Sequence, residues 1–213
     1  MKDLVKSLTD AGVLKTPSLI NAFLAIDRKD FVPQILRGAA YNDEALPIGE
    51  GQTISQPYTV AFMLELLDPQ KGDIIMDVGS GSGWQSSILA CVVSEGGAKG
   101  VVYAVELQPA ISRFGQENVS KYDLLKKGTV RWFTQSASDK LPESVVFDKI
   151  IAAAFINCKD KDIINCIPES WSKKLKDGGI IVAPIDSSVW KFTKKGDKFD
   201  REEYPGFVFV PYL

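Results

Sequence analysis

The stretch DIIMDVGSGSGWQ, residues 73–85, runs from an apolar segment into three closely spaced glycines. The apolar half is typical of a short buried strand, and the SSILACVV that follows predicts a helix. Gly79 and Gly81 would let the backbone approach a ligand, because glycine adopts φ values that other residues resist, and Gly83 would let the helix pack on the strand. The spacing is neither that of a dinucleotide fingerprint nor that of a P-loop. The stretch predicts either a ligand-binding turn or a tight strand–helix turn with no ligand.

The segments around this turn alternate between strand and helix patterns. Two N-terminal helices are predicted at residues 2–11 and 18–26, and a third at residues 58–67. Further strands are predicted at GVVYAVE, TVRWF, FDKIIAAAF and IIVAPI, and further helices at PAISRFGQENVSKYDLL and PESWSKKLKDGG. Such alternation predicts an α/β fold with a doubly wound, mostly parallel sheet. The tail predicts two strands joined by a charged turn, which suits an antiparallel edge.

Glu106, at the end of the strand GVVYAVE, also indicates a ligand. A carboxylate there lies over the crevice of an α/β sheet and can accept hydrogen bonds from both hydroxyls of a ribose. Without a phosphate cradle, the pattern favours a nucleoside ligand that has no pyrophosphate. S-adenosyl-L-methionine fits this description, and NAD fits it less well. The alternative is a solvated strand end.

The composition narrows the possible chemistry. The 213 residues carry a net charge of −2, which gives no basic excess for binding nucleic acid or an anionic membrane. The chain has no histidine, so it lacks the usual general base at neutral pH and the commonest metal ligand. Serine–histidine hydrolases, most zinc enzymes and histidine phosphotransfer are thereby excluded, and no metal site is predicted.

Cysteine spacing and the N-terminal segment indicate in which cellular compartment the protein is found. No pair among the three cysteines has zinc-site or redox CxxC spacing, so we expect free thiols in a reducing cytosol. MKDLVKSLTDAG lacks the apolar core of a signal peptide, and no apolar run approaches the ~20 residues of a membrane span. These features predict a cytoplasmic protein with no membrane or nucleic-acid partner.

GEGQTISQP, residues 49–57, places many hydrogen-bonding groups just ahead of an apolar helix. A polar loop can simply connect two elements. The functional alternative is that its hydroxyls and amides position a polar substrate, with glycines that let a peptide backbone approach. Ala152, Ala153 and Ala154, at another strand end, would either leave room for a substrate chain or only pack tightly.

Seven stretches spread over nearly the whole chain carry a family resemblance: DRKDFVP, AAYNDEALPIGEGQTISQPYTVAFMLELL, MDVGSGSGWQSSILA, VYAVE, LPESVVFDKIIAAA, WSKKLKDGGIIVAPI and FVFVPYL. By these stretches the sequence resembles the protein-L-isoaspartate O-methyltransferase family. The most specific of them is GQTISQP, which lies outside the cofactor fold that many methyltransferases share. The resemblance implies one Rossmann-like methyltransferase domain over residues 1–213. Residues 1–57 would form N-terminal helices and the substrate loop, and residues 58–213 the cofactor-binding core.

The resemblance also implies an activity and a set of site residues. A monomer would use S-adenosyl-L-methionine to methylate the free carboxylate of L-isoaspartyl and D-aspartyl residues in damaged proteins, leaving S-adenosyl-L-homocysteine. Ser55 and Thr53 would be catalytic. The cofactor would be bound by Gln52, Ile54, Asp77, Gly79, Ser80, Gly81, Gly83, Glu106 and Ser136.

Two departures from the family pattern leave an alternative open. Glu50 stands where many relatives have histidine, and Ser136 stands where the family has an aspartate beside the adenine amino group. A hydroxyl forms weaker hydrogen bonds than a carboxylate, so Ser136 would lower cofactor affinity unless Asp139 substitutes. The alternative is a cofactor-binding protein of the same fold whose turnover is lost or altered, with a small carboxylic acid or RNA as acceptor.

The implied reaction explains how an enzyme could work without histidine. An isoaspartyl carboxylate is already ionised at pH 7, since such groups titrate near ~4. It would attack an activated methyl group directly, so that no base is required and alignment supplies much of the rate. Thr53, Ser55 and backbone N–H groups would hold the carboxylate oxygen that does not attack.

Overall fold

The computed structural model describes residues 1–137, 139, 142 and 144–207. The closing stretch FVFVPYL, apart from Phe207, and parts of TQSASDKLPE and LPESVVFDKIIAAA lie outside the described residues. The helices are α1 (Lys2–Asp10), α2 (Pro17–Ala25), α3 (Pro57–Leu67), α4 (Trp84–Val93), α5 (Pro109–Ser120) and α6 (Glu169–Lys174). The strands are β1 (Leu46–Gly49), β2 (Gln52–Ile54), β3 (Ile74–Val78), β4 (Val101–Glu106), β5 (Val130–Thr134), β6 (Phe147–Ala152), β7 (Leu175–Ile185), β8 (Ser188–Lys195) and β9 (Lys198–Pro205).

Seven of the described strands form one sheet in the order β5-β4-β3-β6-β7-β8-β9. The pairs within β5 to β7 are parallel, whereas β8 and β9 add antiparallel pairs at one edge. The chain leaves β3 toward β4 and β5 and then returns to place β6 on the other side of β3. In such sheets, ligands bind at the carboxyl ends of the strands near this reversal of direction. The predicted sheet, with its antiparallel edge, is confirmed.

Each face of the sheet packs into a separate apolar core, because successive strand residues point to opposite faces. In β3, Ile75 belongs to the core beneath the N-terminal helices and α3 to α5, and Met76 belongs to the core on the opposite face. Phe23 of α2 packs edge-on against Trp84 of α4, with 5.5 Å between ring centroids. The N-terminal helices are thus tied to the helix that follows the glycine turn.

Two predicted helices end earlier than the sequence pattern indicates. The helix expected over PESWSKKLKDGG stops at Lys174, and the chain enters β7, whose buried Leu175 pairs with Phe147. Pairing then resumes at Ile180, so Gly178 and Gly179 lie in an irregular part of the strand and do not cap a helix. Sheet pairing here overrides local helix propensity. Similarly, α5 stops at Ser120, where the prediction continued to residue 125.

The prediction of free thiols is wrong for two of the three cysteines. Cys158 and Cys166 form a disulfide, with their Cα atoms 5.4 Å apart, and Cys91 is free. Their spacing in the sequence matches no recognised motif. The fold brings the two residues together in the segment between β6 and α6. None of the helices in the described part of the chain has the length and apolarity of a membrane span.

Candidate active site

The polar stretch GEGQTISQP folds into a hairpin that leads into α3. Strands β1 and β2 pair antiparallel, with Leu46 opposite Ile54 and Pro47 opposite Thr53. Gly49, Glu50 and Gly51 all have positive φ, at 106°, 49° and 72°, and glycine at two of these three positions lowers the strain of the turn between the strands. Gly49 and Gly51 make this turn and are not among the described residues that line the cavity described next, and the expectation that they let a peptide backbone approach stays a prediction.

A cavity of about 360 Å³ lies between this hairpin and the carboxyl ends of β3, β4 and β6. That volume falls within the ~300–1,000 Å³ typical of small-molecule sites. Its lining includes eight of the predicted site residues: Gln52, Thr53, Ile54, Ser55, Gly79, Ser80, Gly81 and Glu106. Ala153 and Ala154 also line it, whereas Ala152 is buried in the sheet. Among the described residues that line the cavity, Glu106 alone carries a charge.

The glycine turn forms one wall of this cavity. The N–H groups of Gly79 and Ser80 donate to the carbonyl of Val105, at 2.9 and 3.1 Å, which ties the turn to β4. Gly79 has φ of +71°, and a Cβ atom there would stand 3.2 Å from Cβ of Ala154. Both the left-handed backbone and the small space therefore favour glycine at this position.

Glu106 is held by the backbone on both of its carboxylate oxygens. Oε2 accepts the N–H of Gly81 at 3.0 Å, and Oε1 accepts the N–H of Gln108 at 2.9 Å. The side chain is only 7% exposed, so these two bonds fix it at the cavity wall. A carboxylate has about four acceptor positions, which leaves one free on each oxygen for a ligand.

A family model described as protein-L-isoaspartate(D-aspartate) O-methyltransferase matches residues 1–213. The chain belongs to this family. It is therefore an enzyme of the methyltransferase class, as the motif resemblance implies.

Relatives and solved structures agree with this membership. The protein-L-isoaspartate O-methyltransferase of Dictyoglomus thermophilum is 40% identical over 99% of this chain and 89% of its own length. That of Pyrobaculum islandicum is 34% identical over 98% of this chain and 96% of its own. A crystal structure of the putative Plasmodium falciparum enzyme in complex with S-adenosyl-L-homocysteine superposes with a TM-score of 0.84. The match covers 99% of this chain and 96% of the Plasmodium falciparum chain. Because the sequences are only 23% identical, this likeness shows the fold alone.

Asp77 and Gly83, both predicted to bind cofactor, lie outside the cavity wall. Asp77 is fully buried, and its carboxylate accepts hydrogen bonds from Gln85 Nε2 at 2.8 Å and Ser86 Oγ at 2.5 Å. It thereby ties the turn to the first residues of α4. A Cβ on Gly83 would stand 2.5 Å from Val119 Cγ2, so this glycine lets α4 pack closely on α5. Both residues therefore support the glycine turn on the side that faces α4 and α5, away from the cavity.

Ser136 does not line the cavity either. Its backbone N–H donates to Asp139 Oδ2 at 3.1 Å, so the carboxylate that could substitute for the family aspartate is bound within its own turn. Gln135, the preceding residue, has a buried amide nitrogen with no hydrogen-bond partner among the described residues, and its N–H donates to the carbonyl of Glu106. The predicted role of Ser136 stays a prediction.

Several cavity residues were missed by the sequence analysis. They are Ala45, Gln56, Thr59, Val60, Ser82, Trp84, Gln85, Leu107 and Gln108. Two signals could have found some of them. Leu107 and Gln108 directly follow Glu106 at the strand end, and Thr59 lies four residues after Ser55, in the first turn of α3. Trp84 gave no such signal, because an aromatic residue that opens a helix normally indicates core packing, and it is indeed 1% exposed.

We expect Asp77 to make the stability of the protein depend on pH. Burial raises the pKa of its carboxyl to about 6, partly offset by the bonds from Ser86 and Gln85. Between pH ~4 and ~6 the folded state therefore binds more protons at this site than the unfolded state, and stability falls as pH rises. The full contribution would be about 3 kcal/mol, since one pKa unit corresponds to ~1.4 kcal/mol.

Urea unfolding at pH 4.5 and 6.5 tests this expectation. Asp77→Asn should lose less stability over that interval than the unaltered chain, because the amide does not titrate. Exposed Asp200→Asn serves as the control and should leave the difference between the two pH values nearly unchanged. An equal pH dependence for Asp77→Asn and the unaltered chain would contradict the raised pKa.

Proposed function

We propose that the chain transfers a methyl group from S-adenosyl-L-methionine to the free carboxylate of L-isoaspartyl and D-aspartyl residues in damaged proteins, which initiates their repair. Family membership over the whole chain supports this activity. The structural observation that carries it is one cavity in which the hairpin residues Thr53 and Ser55 share a lining with Glu106 and the glycine turn. The proposed sites for a nucleoside and for a carboxylate would thus be adjacent.

The proposed cofactor-binding part of the cavity is formed by Glu106 and the glycine turn. Each oxygen of Glu106 has an acceptor position left for a ribose hydroxyl, and Gly79 and Gly81 allow close approach of the ligand. No lysine or arginine is among the described residues that line the cavity, so a pyrophosphate would find no neutralising charge there. A cationic sulfonium ligand suits this lining better. Gln52 and Ile54 would close the same space from the hairpin side.

The substrate end rests on the hydroxyls of Thr53 and Ser55. S-adenosyl-L-methionine, when bound, supplies an activated methyl group on a sulfonium. Thr53 and Ser55 are half-buried and flank Ile54, which is 3% exposed and anchors the strand. Their hydroxyls can donate to one oxygen of an isoaspartyl carboxylate, leaving the other oxygen free to attack. Because that carboxylate is already ionised, no residue needs to remove a proton.

We further propose a monomeric, cytoplasmic enzyme formed by a single domain over residues 1–213, with neither nucleic acid nor membrane as partner. The net charge of −2 supports the absence of a nucleic-acid role. The alternative of a binding protein without turnover is not favoured, since the hairpin that would hold the acceptor is present together with the cofactor cavity.

Paired peptides test the proposed activity. One peptide carries an isoaspartyl linkage, and its twin has the same sequence with a normal aspartyl linkage. Isoaspartate leaves its α-carboxylate one methylene closer to the main chain than the side-chain carboxylate of aspartate. If the loop positions the acceptor by the peptide's backbone, the enzyme should therefore methylate only the isoaspartyl peptide.

Labelled S-adenosyl-L-methionine and base-labile methyl ester formation provide the measurement at pH 7.5. We expect at least ~100-fold higher kcat/KM for the isoaspartyl peptide, consistent with the cost of misplacing a reacting group by ~1 Å. Equal labelling of the two peptides would contradict the substrate assignment. Binding of S-adenosyl-L-homocysteine with no labelling of either peptide would support the alternative of a binding protein.

A further inference from the structure

Arg28 is a charged residue whose role the proposed chemistry does not explain. It begins the short 3-10 helix Arg28–Phe31 within the stretch DRKDFVP, and its side chain is 0% exposed. Fully buried arginines are rare unless their donors are paired. The partners of its guanidinium therefore indicate what the residue does.

All four hydrogen bonds that the guanidinium makes to the described residues go to backbone carbonyls. Nη1 donates to the carbonyls of Ala40 at 2.8 Å and Asn42 at 3.2 Å. Nη2 donates to the carbonyls of Glu44 at 2.8 Å and Ser55 at 3.1 Å. One rigid, planar group thus joins the backbone of residues 40–44 to the backbone of Ser55. A lysine at this position would hold the two segments together less firmly, because the donors of its ammonium group rotate freely.

The plane of the guanidinium is also fixed from the cavity side. Its central carbon lies 5.4 Å from the ring centroid of Trp84, which lines the cavity. Burial lowers the pKa of Arg28 to about 10, while the charges of Asp43 and Glu44 oppose this shift. The group therefore remains charged at neutral pH, and its bonds to carbonyls are of the stronger, charge-assisted kind.

The residues after Ser55 are tied to the same 40–44 segment. Asp43 accepts the Nε2–H of Gln56 at 3.1 Å and the backbone N–H of Tyr58, in the first turn of α3, at 2.8 Å. Ser55 is thus held at its own carbonyl by Arg28, and the chain just beyond it is held by Asp43. Both attachments hold the backbone of Ser55 in place.

We propose that Arg28 is a positioning residue for methyl transfer, in which its guanidinium locks the backbone of Ser55 so that the hydroxyl meets the acceptor carboxylate. This inference rests on the proposed function, since it assigns Arg28 a part in the same site. Arg28 is not among the described residues that line the cavity, so it would touch neither cofactor nor acceptor. Its effect on turnover passes through the Ser55 carbonyl.

The test compares Arg28→Lys and Arg28→Met with the unaltered chain. We expect kcat for the isoaspartyl peptide to fall about 10- to 100-fold, the scale of a small misplacement at a reacting centre. The Kd for S-adenosyl-L-homocysteine should stay within about threefold, because the described hydrogen bonds of Arg28 go to residues 40–44 and Ser55 and not to Glu106 or the glycine turn. Arg28→Lys should retain more activity than Arg28→Met, since an ammonium can still bind some of the carbonyls.

Lys149 offers a matched control for lost stability. It too is a buried cation bound to backbone carbonyls, those of Leu67 at 2.9 Å and Asp68 at 2.5 Å, and it does not line the cavity. Lys149→Met should lower the Tm as Arg28→Met does, yet keep kcat when assayed well below the Tm. Should Arg28→Met not fold, Arg28→Lys carries the comparison, with folding checked by circular dichroism at the assay temperature.

Two results would overturn the proposal. The first is a kcat for folded Arg28→Lys and Arg28→Met equal to that of the unaltered chain, which would leave Arg28 a purely structural role. The second is a parallel loss of kcat and S-adenosyl-L-homocysteine affinity, which would mean that Arg28 acts on the cofactor through Trp84. Absence of isoaspartyl methylation in the unaltered chain would instead contradict the proposed function itself.

Discussion

Ser55→Ala is expected to lower kcat for isoaspartyl peptides by roughly 100- to 1,000-fold, which corresponds to about 3–4 kcal/mol of barrier for one well-placed donor. Ser55 lines the cavity together with Thr53, and its truncation leaves the carboxylate oxygen that both hydroxyls would hold with the Thr53 hydroxyl alone. Ser55 is half-buried and its backbone stays anchored, so the fold should be unaffected. Steady-state kinetics with calorimetry for S-adenosyl-L-homocysteine separates turnover from cofactor affinity.

Ser120→Ala is the matched control for this change. Among the described residues the Ser120 hydroxyl bonds only to the carbonyl of Gln116, on an exposed face of α5, so its removal should leave kcat unchanged. Thr53→Val, which keeps the shape of the side chain, should give a smaller loss in the same direction as Ser55→Ala. Full activity in Ser55→Ala would contradict the positioning role and favour the alternative that GEGQTISQP simply connects two elements.

Glu106→Ala is expected to weaken S-adenosyl-L-homocysteine binding by about 3 kcal/mol, or roughly 100-fold in Kd. Hydrogen bonds to a charged group are worth about 1.5–3 kcal/mol each, and the substitution removes two acceptors for ribose. The N–H groups of Gly81 and Gln108 also lose their acceptor, which loosens the turn. Isothermal titration calorimetry measures the change directly.

The exposed carboxylate of Glu117, on α5, supplies the control for Glu106. Glu117→Ala removes the same charge from the chain without touching the cavity and should leave Kd unchanged. A Kd for Glu106→Ala within about twofold of that of the unaltered chain would remove the ribose assignment. Melting curves without ligand would show whether loss of the bond to Gly81 also lowers the Tm.

The cofactor half of the candidate site could be predicted from the sequence because its signals are local. A strand, a glycine turn and a helix follow one another without interruption, and Glu106 ends the next strand. In a parallel sheet, consecutive strands place their carboxyl ends at the same edge. Gly79, Gly81 and Glu106 therefore meet by the rules of the fold alone.

The acceptor half is different, because GQTISQP shows polar residues but not their neighbours. Thr53 and Ser55 reach the glycine turn only because residues 46–54 fold into a hairpin over the carboxyl end of the sheet. The family resemblance indicated a stretch whose residues do line the cavity. The left-handed turn at Gly49 and Gly51, which gives the hairpin its shape, could not be predicted from the polar pattern alone.

The sequence by itself determined the strand–turn–helix unit, the sheet class, the place of Glu106 at the end of its strand and the absence of a histidine base, since each follows from neighbouring residues or from composition. Only the tertiary structure decided the rest. The Cys158–Cys166 disulfide and the pairing of Leu175 with Phe147 depend on segments brought together by the sheet. The placement of Arg28 against the Ser55 carbonyl, 27 residues away, likewise arises from packing. Propensity acts within a few residues, whereas burial, sheet pairing and a shared hydrogen-bond donor act across the fold.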